Sequence, residues 1–108
     1  MAEVTEATLE AFLGLTAREL VDALGLAEGQ RDWTDEPPCV LRGVSYSVAD
    51  GASVTLYIAS GEPLFRQLKL HREWDYDAFL GCRVGGIQYH STAVRLNVGP
   101  AVPWQRRH

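Results

Sequence analysis

The segment CVLRGVSYSVADGASVTLYIAS, Cys39 to Ser60, constrains the fold more than any other part of the chain. Apolar and polar residues alternate on both sides of Asp50-Gly51, the pattern of two half-buried strands joined by a reversal. Loop length decides whether the two halves agree. A two-residue loop at Asp50-Gly51 sets Tyr46 against Thr55 and Val44 against Tyr57, and Val54, Leu56 and Ile58 then face Ser47, Ser45 and Gly43. The apolar faces miss each other. A three-residue loop, Ala49-Asp50-Gly51, with Gly51 in the left-handed bulge position, sets Val48 against Ala52, Tyr46 against Val54 and Val44 against Leu56. This register makes one apolar face, which needs a cover.

The first 26 residues supply that cover. Thr16 and Glu19 form a capping box, Leu15 can staple onto Leu20, Gly25 takes the left-handed stop position and Leu26 can close back on Val21 in a Schellman motif. The spacing predicts a helix from about Ala17 to Leu24. Upstream, Thr5 can cap a helix running through Leu13 to a stop at Gly14, with Val4, Ala7, Leu9, Phe12 and Leu13 at its apolar positions. Neither helix is long enough to stand alone in water, so both must pack on something.

The stretch AEGQRDWTDEPP, residues 27–38, is polar and ends in paired prolines, and it reads as a connection crossing the surface. LFRQLKLHRE carries both helical and strand spacings, and a strand from about Arg66 to Arg72 is favoured. WDYDAFLG reads as a short helix near residues 76–80, with Asp75 as cap and Gly81 as stop. Two further strands follow, roughly Arg83 to Tyr89 and Ala93 to Val98, in which Ile87 and Tyr89 pair with Leu96 and Val94. Gly99-Pro100 ends the sheet, and residues 99–108 read as an extended tail. The expected whole is one α+β domain over residues 1–108: two N-terminal helices packed on one face of a four- or five-stranded antiparallel sheet, with a short additional helix.

Charge excludes some partners. Met1 to Glu36 holds nine acids and two bases, and Pro37 to His108 five acids and eight bases, so −7 and +3 sum to −4. An acidic chain whose longest basic block is Arg106-Arg107 is a poor ligand for nucleic acid, whose binding draws on many cation-phosphate contacts. No apolar run approaches the ~20 residues of a membrane span. The opening residues place acids where a secretory signal needs a positive flank, so the expected compartment is the cytoplasm, where Cys39 and Cys82 stay reduced.

Several constellations could carry chemistry. In an extended HREWDYD, His71, Glu73, Asp75 and Asp77 share one face and could hold a hard divalent ion. A polar strand face running into a helix N-terminus accounts for the same residues. His71-Arg72-Glu73 matches the H-x-E half of a zinc deaminase signature, but the P-C-x-x-C half is missing. Cys39, Cys82, His71 and His90 lack the paired short spacings of a zinc site, and Cys82 with either histidine has no orienting motif to make a nucleophilic pair. Gly85-Gly86 opens no phosphate loop. Within GCRVGGIQYHS it reads as a bulge or a place of close approach, with Val84, Ile87 and Tyr89 as strand residues.

Trp33, Trp74 and Trp104 fall in expected connections or the tail, outside the alternating core pattern, and with Tyr76, Tyr89 and His90 they are the candidate partner-binding residues. GLTARELVDALG, Gly14 to Gly25, resembles the G-M-T-x-x-x-V-x-x-x-L-G signature of the SmpA/OmlA family and the related beta-lactamase-inhibitor-protein fold. The resemblance implies two short helices before an antiparallel sheet, in a non-catalytic module that binds other proteins. The signal peptide and lipidated cysteine of the lipoprotein members have no counterpart here, so their envelope role is not carried over.

These readings converge on a small protein-interaction module with no cofactor, binding an unidentified protein partner or its own copy. A small enzyme or divalent-metal-dependent binder using His71, Glu73, Asp75 and His90 is the alternative.

Overall fold

Local chemistry sets the helices. The Thr5 hydroxyl accepts the N–H of Thr8 at 3.2 Å and opens α1 (Glu6–Glu10). In α2 (Ala17–Leu24) the Thr16 hydroxyl accepts the Glu19 N–H at 3.3 Å, and the Glu19 carboxylate accepts the Thr16 N–H at 2.9 Å. The far end is a Schellman closure: Gly25 is left-handed at φ 66°, and the Leu26 N–H donates to the Val21 carbonyl at 2.9 Å. Ala17, Leu20 and Val21 are buried and Leu24 half-buried, the i, i+3, i+4, i+7 stripe of a helix lying on a core. The computed structural model describes residues 4–26, 30–36, 40–48, 51–62 and 76–101.

α1 ends earlier than its sequence suggests. From Phe12 the chain tightens into i→i+3 bonds, Phe12 N–H to Leu9 O and Leu13 N–H to Glu10 O, before Gly14 turns it at φ 92°. A tightened last turn satisfies carbonyls that a regular helix end leaves open.

The five strands, β1 (Gln30–Glu36), β2 (Val40–Ser47), β3 (Ser53–Ile58), β4 (Val84–His90) and β5 (Arg95–Val98), form one antiparallel sheet in sequence order. α3 (Tyr76–Leu80) lies between β3 and β4 in the chain. The β2–β3 register is the one the three-residue loop requires, with Val44 opposite Leu56 and Tyr46 opposite Val54, and Gly51 is left-handed at φ 76°. Two apolar rows cross the sheet: Val44, Leu56, Ile87 and Val98, then Tyr46, Val54, Tyr89 and Leu96. Leu9, Leu20, Val21, Leu26, Phe79 and Leu80 of the helical segments share one core with these rows, so all three helices cover the same face. The opposite face is polar, with the Thr55 hydroxyl donating to Ser45 Oγ at 3.1 Å and the Tyr57 hydroxyl donating to Gln88 Oε1 at 3.3 Å.

Gly85 is the bulge of β4, because Tyr57 pairs with Gly86 and Ile58 with Val84. The extra residue brings Val84 and Ile87, three apart, onto the same buried face. A backbone suture beside it holds the helices: the Gly14 N–H donates to Val84 O at 2.9 Å, the Val84 N–H to Leu15 O at 2.9 Å and the Ala17 N–H to Cys82 O at 2.8 Å.

Two further expectations are corrected. Residues 30–36 are not part of a surface connection; they form the edge strand β1, with Trp33 opposite Val44 and a bulge between Thr34 and Asp35. An edge strand is held by its ladder and gains from charges that discourage pairing with another chain, so a sequence as polar as QRDWTDE suits it. The β4–β5 register is also offset by two, with Ile87 opposite Val98 and Tyr89 opposite Leu96. A two-residue Ser91-Thr92 turn needs positive φ, which a β-branched residue resists. The Ser91 hydroxyl instead accepts the N–H groups of Ala93 and Val94, both at 3.2 Å, and builds a longer turn that leaves Val94 in solvent. The expected strand at Arg66 to Arg72, the Asp75 cap, Cys39 and the tail beyond Ala101 lie outside the described residues. Among the described residues no helix is long and apolar enough to cross a membrane.

Candidate functional site

Three chain reversals meet at one end of the molecule, and a cleft of about 520 Å³ opens among them. Val4 and Leu9 line it from the α1 side, and Leu24, Gly25 and Leu26 line it from the Schellman closure of α2. The sheet contributes Val48, Ala52 and Val54 beside the β2–β3 turn, Tyr89 near the end of β4, and Ser91 and Thr92 from the β4–β5 turn.

Each reversal delivers its side chains for a local reason. The left-handed Gly25 swings the chain so that Leu26 drops into the core, 1% exposed. The Val48 N–H donates to Ala52 O at 2.9 Å and closes the hairpin tightly enough to hold both residues at the wall. The two hydrogen bonds onto Ser91 Oγ fix the turn that presents Thr92. Leu9, Leu26 and Val54 are buried at the base, while Val4, Leu24, Val48 and Tyr89 remain half-buried. Among the described residues no charged side chain lines the cleft, and the polar side-chain groups there are the Ser91 and Thr92 hydroxyls and the Tyr89 phenol. A volume between ~300 and 1,000 Å³, mostly apolar walls and a few polar groups are general features of ligand clefts.

Those of the residues singled out from the sequence that are described fall at different places in the fold. Tyr89 is in the cleft. His90, the next residue, is exposed, and its Nε2 lies 3.3 Å from Arg95 Nη2. Tyr76 serves the core instead: its hydroxyl lies 2.8 Å from that of Tyr46, and its ring stacks on Phe79 with centroids 6.1 Å apart. Trp33 occupies a register position on the edge strand, and Trp74 and Trp104 lie outside the described residues.

Of the possible metal ligands, Asp77 is exposed on α3, and His71, Glu73 and Asp75 lie outside the described residues. β4 separates the α3 end of the sheet from His90 by about 20 Å at the usual rise per residue. Among the described residues no three His, Cys, Asp or Glu side chains group as ligands.

Cys82 is a free, buried thiol that donates to the Ala78 carbonyl at 3.5 Å. Burial first, and then the Glu62 carboxylate, push its pKa up to about 11. A nucleophilic cysteine needs the opposite shift.

The residues that sequence reasoning leaves out, Leu24, Val48, Ser91 and Thr92 above all, share one signal: each stands within a few positions of a chain reversal. Neither a family model, nor a curated protein, nor a solved structure matches this chain.

Proposed function

We propose that the protein is a non-catalytic protein-interaction module working in the cytoplasm, and that its cleft receives an apolar anchor side chain from a partner protein. One observation carries the reading: Val4, Leu24, Val48 and Tyr89, all half-buried, surround an opening floored by Leu9, Leu26 and Val54. Binding hot spots have this form, a desolvated pocket filled by one large side chain and ringed by groups that exclude water. The hydroxyls of Ser91 and Thr92 can orient the backbone that brings the anchor. Resemblance of Gly14 to Gly25 to a group of protein-binding modules supports the same reading, and the free Cys82 thiol suits a reducing compartment.

A photoreactive benzoylphenylalanine placed at Thr92 in the intact chain tests it in the native cell, with the same group at exposed Asp77 as control. A discrete heavier adduct from position 92 and none from position 77 is the expected result. Equal labelling from both positions, or no protein adduct from position 92, refutes it.

A further inference from the structure

We draw no further inference here: the strongest candidate, the cleft of about 520 Å³ between the Schellman closure of α2 and the β2–β3 and β4–β5 turns, belongs to the site already described, and nothing in the structure shows what covers it.

Discussion

The hydroxyls of Tyr46 and Tyr76 lie 2.8 Å apart, joining the floor of the sheet to the first residue of α3. Tyr46 is buried and Tyr76 half-buried, so the contact couples two elements whose connection holds thirteen residues, 63–75, outside the described set. Replacing either tyrosine with Phe should cost about 1 kcal/mol. In urea denaturation the double variant should cost less than the sum, with a coupling of about 0.5 to 1.5 kcal/mol. Strict additivity would mean that the hydroxyls do not act as a pair.

The Thr16–Glu19 box predicts both a stability loss and a pH signature. Thr16→Ala should cost about 1 kcal/mol by removing the cap. The Glu19 carboxyl is held below its ordinary value, chiefly by the backbone hydrogen bond from Thr16 and then by the Thr16 hydroxyl. A lowered folded-state pKa favours the folded chain above the unfolded glutamate value of about 4.3, and that gain disappears as the pH falls through the folded value. Stability measured down that acid limb should therefore fall less steeply in Glu19→Gln than in the unsubstituted chain.

Cys82 gives the opposite limb. Its folded pKa is raised to about 11 by burial and by Glu62, so its contribution is complete below the unfolded thiol value of about 8.5 and is lost between there and the folded value. Cys82→Ala should remove part of the alkaline loss of stability. Iodoacetamide at mildly alkaline pH should label Cys82 slowly in the native chain and rapidly in denaturant. Rapid native labelling, read by peptide mapping, would contradict the buried, protonated thiol.

Two glycines should fail differently when replaced by Ala. At Gly85 a Cβ would meet Ala59 Cα at 2.6 Å and Ala59 Cβ at 2.8 Å, so the bulge itself must move. The cost should be about 1 to 3 kcal/mol, as for overpacking. At Gly51 nothing lies within 4 Å and only the positive φ of 76° resists a side chain. Gly51→Ala should cost about 1 kcal/mol, and Gly51→Asn less, because Asn tolerates the left-handed region. Equal responses to Ala and Asn at position 51 would argue against a left-handed constraint.

How much of this is legible in the sequence depends on whether the deciding interaction is local. The Thr16 box, the Gly25 closure and the Val48–Ala52 register each involve residues a few positions apart, and all three are read correctly. Strand β1 is missed because an edge strand needs no apolar alternation; its evidence is a backbone ladder with β2, invisible in QRDWTDE. The β4–β5 register is missed because the Ser91 hydroxyl, not apolar matching, chooses the turn. Of the candidate binding residues Tyr89 lines the cleft, which is assembled from separate stretches that each read as ordinary core or turn.

The suture between the helix pair and β4 also bears on how the protein is made. Gly14 and Arg83, joined by a hydrogen bond from Arg83 Nη1 to the Gly14 carbonyl at 2.7 Å, are 69 residues apart. At roughly 5 to 20 residues per second of synthesis, the helices emerge several seconds before the strand that receives them. β1 to β3 emerge within that interval, but until β4 arrives the segment carrying Leu9, Leu20 and Val21 lacks the strand that stitches it down, so its oily side stays loosely covered on the ribosome.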